Sequence, residues 1–300
     1  MTIVLPGELT PVTVESLVRA GLDPARVLRT VRDALVEDLW LGPDVTTESV
    51  VTESAEAVAD VVPRATGTLA GVPVAAAVLD VLGGGSLRLT PLAADGDRVV
   101  PEQVVLSVEG SVRALLTAER TLLNLLGRLS GVATATRAWV DVVAGTGAAI
   151  RDTRKTTPGL RALEKYAVRC GGGVNHRLAL GDEALIKDNH VAAAGGVSAA
   201  LAAVRAASPD VPVEVECDTV EQVREAVAAG APLLLLDNMT LEEMRQAVAL
   251  ARPAGVRLEA SGGLTLDRAR AVAELGVDYL AVGALTHSAP ALDLGLDLRG

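Results

Sequence analysis

The chain has 300 residues, half of them hydrophobic, which is enough for about two domains with buried cores. Its formal charge of −11 argues against nucleic acid or an anionic membrane as a partner, and two cysteines, Cys170 and Cys217, are too few for a disulfide framework. The first residues carry no basic segment followed by an apolar one, and no apolar run approaches a membrane span, so a cytoplasmic chain is expected.

Aromatic residues are scarce: there is no Phe, and only Trp40, Trp139, Tyr166 and Tyr279 are present, so Val, Leu and Ala must build the core. Apolar residues recur at helical spacing over 14–38, and Gly21 and Pro24 are expected to split that run in two. GPDVTTES (42–49) reads as a polar loop. AEAVADVV, GSLRLTPL and QVVLSVEG are short and β-rich, with a helix predicted over 73–82, which makes 55–110 an α+β module. Two helices are predicted next, Val112 to Leu129 and Thr134 to Val143, separated at Gly131. On spacing alone, Arg120 reads as an exposed neighbour of Glu119.

From residue 148 onward the pattern becomes regular. AAIRDT, EALIKD, VPVEVEC, PLLLLD, VRLEAS and DYLAVG are short apolar runs, and helical segments are predicted over 198–207, 219–229, 240–251 and 265–275. This is the pattern of a βα-repeat barrel or an open parallel sheet. No G-x-G-x-x-G follows the first strand to favour a dinucleotide fold. Lys187, Glu216, Asp237, Ser261 and Gly283 stand at or just past the ends of successive apolar runs. A barrel places its active site there.

The stretch from Arg151 to His190 holds all three lysines (Lys155, Lys165, Lys187), two of the three histidines (His176, His190) and five arginines. A basic island on an acidic chain focuses its field on something small and negative. Arg154, Lys155, Arg177 and Lys187 occupy strand-end positions that suit a site. Arg161, Lys165 and Arg169 read as the solvated face of a helix over 159–169, with Thr157 as its N-cap. Ser261-Gly262-Gly263 and Val282-Gly283-Ala284 are turns whose glycines allow backbone N–H groups to approach a phosphate, and His287 adds a donor. Glu214 and Glu216 share one face of a strand beside Asp237. Carboxylates so placed call for an offset, either a salt bridge to Lys187 or a divalent cation. With no Cys/His cluster evident, Mg²⁺ held mostly through substrate phosphates is the better candidate than zinc. Cys170 reads as a small packed residue rather than a nucleophile.

These residues carry a resemblance. DTRKTTPGLRALEKYAVRCGGGVNHRL, ALIKDNH, EVECDT, LLLDNM, LEASGGL and VGALTHSAPALDLGLDL, with AERTLLNLLGRLSGVAT and GPDVTTE before them, resemble the quinolinate phosphoribosyltransferase family, the carboxylating nicotinate-nucleotide pyrophosphorylases. The resemblance spans nearly the whole chain. It implies an N-terminal α/β sandwich domain over 1–130, joined by the tail 289–300, and a C-terminal open, incomplete α/β barrel of TIM-barrel type over 131–288. It implies conversion of quinolinate and phosphoribosyl pyrophosphate, with Mg²⁺, to nicotinate mononucleotide, pyrophosphate and CO₂. Arg154, His176, Arg177 and Lys187 would line the quinolinate pocket of a homodimer, with Arg120 entering from the second subunit, and Thr153 would also bind substrate. Lys155, Glu216 and Asp237 would face phosphoribosyl pyrophosphate and its metal and carry the chemistry. Ser261, Gly262, Gly263, Val282, Gly283, Ala284 and His287 would hold phosphate. The competing classes, a phosphosugar-sensing barrel and a phosphosugar isomerase, have no need of so many cations.

Overall fold

The computed structural model describes Leu5 and residues 7–299. In chain order its elements are α1 (Pro11–Arg19), α2 (Pro24–Leu39), α3 (Val45–Val50), β1 (Glu56–Pro63), β2 (Gly67–Thr68), α4 (Val72–Gly83), β3 (Arg88–Pro91), β4 (Arg98–Val99), β5 (Leu106–Ser111), α5 (Val112–Val143), β6 (Ala149–Arg151) and α6 (Arg161–Cys170). There follow β7 (Ala184–Ile186), α7 (Asp188–Ala194), α8 (Val197–Ala207), β8 (Val213–Cys217), α9 (Val220–Ala228), β9 (Leu233–Asp237), α10 (Leu241–Ala251), β10 (Arg257–Ser261), α11 (Leu266–Glu274), β11 (Tyr279–Ala281), α12 (Ala284–His287) and β12 (Leu294–Leu298). The chain forms two compact units. One runs to Ala135 and adds Thr157–Gly172 and the segment from Ser288. The other comprises Thr136–Thr156 and Gly173–His287.

The first unit is an α/β sandwich. Its antiparallel sheet has the order β12-β1-β5-β3, and β2 pairs separately with β4. Helix α2 buries Val27, Val31 and Leu35, one apolar stripe at i, i+4, i+8. Pro24 opens that helix at N1, and Asp23 caps it by accepting from Ala25 N. GPDVTTES, expected as a loop, instead contains α3. Asp44 caps it, accepting from Thr47 N (3.0 Å) and Thr47 Oγ1 (2.6 Å), so the polar residues are helix-start signals.

The two helices expected on either side of Gly131 are one helix, α5. Gly131 lacks a Cβ because Pro290 O would lie 2.0 Å from it, and a Cβ on Gly127 would meet Leu292 O at 2.8 Å. These glycines admit the C-terminal segment and do not break the helix.

The expected domain over 131–288 differs from the observed grouping, which gives Thr157–Gly172 to the first unit. The reason lies on α6, where a continuous face from Leu163 to Val168 is buried. Glu164 is buried with Arg128 Nη2 at 2.7 Å, and Tyr166 OH donates to Asp95. Lys165, expected on a solvated face, is completely buried, whereas Arg169 is exposed. The helix starts at Arg161, after a turn at 158–160. Its N-cap is therefore Leu160 and not Thr157, whose N–H donates to Glu164 Oε2 (2.9 Å).

The second unit is an open α/β barrel. Its six parallel strands run β6-β11-β10-β9-β8-β7, and α8 to α11 lie among them in the connections. Among the described residues β6 and β7 form no ladder with each other. Instead Arg151 makes a parallel bridge to Val174. Strands β8 and β9 are buried along nearly their whole length, as parallel strands covered on both faces must be. Among the described residues no single helix is long and apolar enough to cross a membrane.

Candidate active site

Parallel strands bring their C-terminal ends to one edge, and the polar strand-end residues gather there. Lys187 follows β7 and Glu216 lies near the end of β8. Their side chains form an ion pair in which Glu216 is the more enclosed partner. The Lys187 N–H donates to His190 Nδ1 (2.9 Å), so His190 caps the start of α7. The Lys187 ammonium is thus one of the two offsets left open for Glu216.

At the next strand ends, Asp237 of β9 pairs in register with Ser261 of β10. Asn238 adopts a left-handed backbone (φ 53°), donates its N–H to Ser261 O (3.0 Å) and its Nδ2 to Asp237 Oδ2 (2.7 Å). A Cβ on Gly262 would meet Asn238 Oδ1 at 2.3 Å, and Gly262 and Gly263 both have positive φ. The glycine pair is therefore required by the close pass of Asn238.

The last loop gathers a third group. Gly283 lies against Lys155 and His287: a Cβ there would be 3.0 Å from Lys155 Cδ and 3.4 Å from His287 Nε2. Thr286 Oγ1 donates to Lys155 O (2.8 Å), and Val282 N donates to Arg151 O (2.9 Å), which ties this loop to the one after β6. Thr153 Oγ1 accepts from Lys155 N (3.0 Å) and shapes that loop. Arg154 is half-buried beside the exposed Lys155, and Ala284 opens α12 on the surface.

His176 and Arg177 belong to a network inside the barrel. His176 Nδ1 accepts from Arg177 N (2.7 Å), so the neutral ring carries its proton on Nε2, which is 2.9 Å from Glu214 Oε2 and 3.7 Å from Glu259 Oε1. Arg151 Nη1 is 2.7 Å from Glu259 and 3.8 Å from Glu214, and Arg151 Nη2 is 3.4 Å from Glu183. Arg151, Glu259 and Glu214 come from β6, β10 and β8, which are alternate strands of the sheet, as in the side-chain layers of a closed barrel. Here the layer is charged. Burial pushes the Glu214 and Glu259 carboxyls up, with Glu214 further raising Glu259; Arg151 draws both partly back down. His176, Glu214 and Glu259 have the donor atoms of a metal site, but the Arg151 guanidinium fills the cation's place. Sequence reading placed Glu214 beside Glu216 but missed Glu259, Glu183 and the inward role of Arg151; the alternate-strand rule was the available signal.

Two further residues belong to the first unit. Arg120 is exposed on α5 in the first unit. Cys170 has its thiol pushed up to about 11 by burial, which leaves it a poor nucleophile.

Comparison with known proteins covers both units. Residues 44–130 match the profile of the quinolinate phosphoribosyl transferase N-terminal domain, and residues 132–297 match that of the C-terminal domain. The nicotinate-nucleotide pyrophosphorylase (carboxylating) of Mycobacterium leprae (strain TN) is 56% identical over 272 residues, 90% of this chain and 96% of the relative. Its counterpart in Homo sapiens is 38% identical over 282 residues, 91% of this chain and 94% of the relative. The crystal structure of NadC from Streptococcus pyogenes superposes with a TM-score of 0.86 at 38% identity, covering 98% of this chain and 99% of that one. The chain belongs to the quinolinate phosphoribosyltransferase family.

Proposed function

We propose that the C-terminal strand ends of the barrel are where quinolinate meets phosphoribosyl pyrophosphate, with Arg154, Arg177 and Lys187 holding the dicarboxylate and Glu216 and Asp237 facing the ribose. The activity is that of the family: quinolinate and phosphoribosyl pyrophosphate give nicotinate mononucleotide, pyrophosphate and CO₂, in NAD biosynthesis. The observation that carries the site is the convergence, along one sheet edge, of Lys187 on Glu216, of Asp237 on Ser261 through Asn238, and of Lys155 and His287 on Gly283.

The chemistry follows from these groups. Arginine can meet a carboxylate with two parallel N–H donors, and lysine adds a point charge, so a dicarboxylate suits this cluster. The ring nitrogen of quinolinate attacks C1 of the ribose as pyrophosphate leaves. Positive charge grows at that carbon, and Glu216 and Asp237 stabilise it there. The pyridinium formed then accepts the electron pair released when the 2-carboxylate departs as CO₂, so no protein nucleophile is needed. Lys155 and the turns at Gly262 and Gly283 hold phosphate. Val282, Ala284 and His287 complete that turn.

Mg²⁺ fits the carboxylate oxygens of Glu216 and Asp237, which are hard donors at the mouth, and does not fit the buried His176 group that Arg151 neutralises. When bound, the ion neutralises charge on the departing pyrophosphate. We also assign Arg120 to the quinolinate pocket of a second copy in a homodimer, because it is exposed on α5 and matches the family motif AERTLLNLLGRLSGVAT. Its charged, phosphorylated substrates suit a cytoplasmic enzyme. The test is release of pyrophosphate and CO₂ from quinolinate, with and without phosphoribosyl pyrophosphate and Mg²⁺. One-to-one release of both products supports the reading, and release that ignores quinolinate overturns it.

A further inference from the structure

Strand β9 ends in Asp237, and the residue after it links three groups. Asn238 takes a left-handed backbone (φ 53°) and donates its N–H to Ser261 O (3.0 Å), at the end of β10. Its side chain folds back, so that Nδ2 donates to Asp237 Oδ2 (2.7 Å). The rest of the amide lies over Gly262, where a Cβ would be 2.3 Å from Asn238 Oδ1 and 2.5 Å from its Cγ. Met239, next along, is buried and ties the turn to the core. A left-handed backbone favours glycine, and among the described residues only Glu102 and Asn238 have a positive φ without being glycine. Glycine stands directly across the turn, at Gly262 and Gly263, but not at 238. Asparagine is among the side-chain-bearing residues that best tolerate this conformation, and the missing Cβ at Gly262 leaves its amide room. Backbone and neighbour are both arranged around that amide.

We propose that Asn238 is a positioning residue for phosphoribosyl pyrophosphate: its amide holds the Asp237 carboxylate in one orientation toward the ribose and fixes it relative to the phosphate turn at Gly262. This inference rests on the reading of the strand ends as the substrate site. The amide occupies Oδ2 and directs Oδ1 to the substrate, through a hydrogen bond of the stronger kind that an ionised acceptor makes. Asp237 and Ser261 are in register on adjacent strands, so one side chain sets the spacing between the group that faces the ribose and the turn that holds phosphate. A role in shaping the turn alone does not account for the arrangement. Glycine would make the same turn with less strain. What glycine lacks is a donor for the Asp237 carboxylate.

The test compares Asn238→Gly, which keeps the left-handed turn and removes the amide, with Asn238→Asp, which keeps the shape and replaces the donor with an acceptor that repels Asp237. For Asn238→Gly, kcat/KM for phosphoribosyl pyrophosphate should fall roughly tenfold, the scale of one hydrogen bond to a charged group. KM for quinolinate should stay within about twofold, because its contacts lie on other strand ends. The melting temperature should match that of the wild type, and Asn238→Asp should lose at least as much activity as Asn238→Gly. Normal kinetics in the Gly variant, a rise in quinolinate KM as large as the loss toward phosphoribosyl pyrophosphate, or an Asp variant as active as the wild type would each overturn the proposal. A Gly variant that fails to fold would also overturn it, since glycine suits the backbone best and the side chain would then serve the architecture. The second measurement is structural. Crystal structures of the wild type and the Gly variant should show the Asp237 carboxylate rotated or spread over several orientations in the variant, with the turn at Gly262 in place. An unmoved carboxylate removes the positioning role. Wild-type turnover separates this inference from the reaction itself. Without quinolinate-dependent product release the reaction is wrong, whereas normal wild-type turnover with an unselective Asn238→Gly defect removes only the part given to Asn238.

Discussion

Lys187 and Glu216 meet across neighbouring strands of one barrel, and each holds the other at the C-terminal edge of the sheet. The pair gives the two members separable roles. Glu216→Gln keeps the shape of the side chain but loses the charge proposed to face the developing cation at C1. We expect kcat to fall about a hundredfold with KM for quinolinate little changed, the pattern of an interaction made mainly in the transition state. Steady-state kinetics with each substrate varied in turn checks this. A change confined to KM would remove Glu216 from that role.

Arg177→Ala deletes a guanidinium whose Nη1 donates to Glu183 O and which is proposed to hold the dicarboxylate. Quinolinate binding should weaken by about 2–4 kcal/mol, and phosphoribosyl pyrophosphate binding by well under 1 kcal/mol. Calorimetric titration of each ligand measures the difference. Equal losses would move Arg177 out of the quinolinate pocket.

If Arg120 serves the partner's pocket, two dead enzymes can make a live one. Arg120→Ala and Lys187→Ala should each be nearly inactive, and mixing them under conditions of subunit exchange should restore up to about a quarter of wild-type activity, the statistical share of intact sites in random mixed dimers. The measurement is activity against mixing ratio, with exchange shown independently by mass. Exchange without rescue would place Arg120 in its own chain's site.

The buried carboxylates make stability depend on pH in an unusual direction. Glu259 is raised from 4.5 to about 7, first by burial and next by Glu214. Between those values the folded protein holds a proton that the unfolded chain releases, so this contribution is fully present below pH 4.5 and disappears as pH rises through about 7. Glu259→Gln should flatten that part of the melting temperature profile. A wild-type profile that climbs across the same window, with the variant parallel to it, would show that the network is ionised throughout.

Gly131→Ala should be damaging although it lies within a helix, where alanine is normally favoured. The added carbon would lie 2.0 Å from Pro290 O, and overpacking of this kind costs about 1–3 kcal/mol or more. Gly181→Ala, which meets nothing within 4 Å and has no positive φ, is the control. Similar melting temperatures for the two variants would contradict the packing account.

The barrel strands were legible because each is a short apolar run ending in a polar residue, and parallel strands buried on both faces leave that signature undisguised. The same signature puts Lys187, Glu216 and Asp237 at the ends of β7, β8 and β9, where the structure has them. Lys165 was misplaced because charge normally signals solvent, and one sequence does not show where a buried ion pair such as Arg128–Glu164 reorganises a helix face. Gly131 was misread as a breaker because its real neighbour, Pro290, is distant in sequence. The Arg151 network was hidden in the same way. Its members come from alternate strands, and only the closing curvature of the sheet brings them together.

The pairing of β12 with β1 sets Ala59 opposite Leu298, almost the full length of the chain apart. During synthesis, then, the first sheet waits. Its strands β1, β5 and β3 are made early, yet β1 keeps an open edge until the whole barrel has been translated and β12 has followed it. A nascent chain stalled before residue 294 would present that bare edge to any strand nearby. Its aggregation should rise with the time spent there, so β12 acts as the closing step of a sheet whose other strands were made long before.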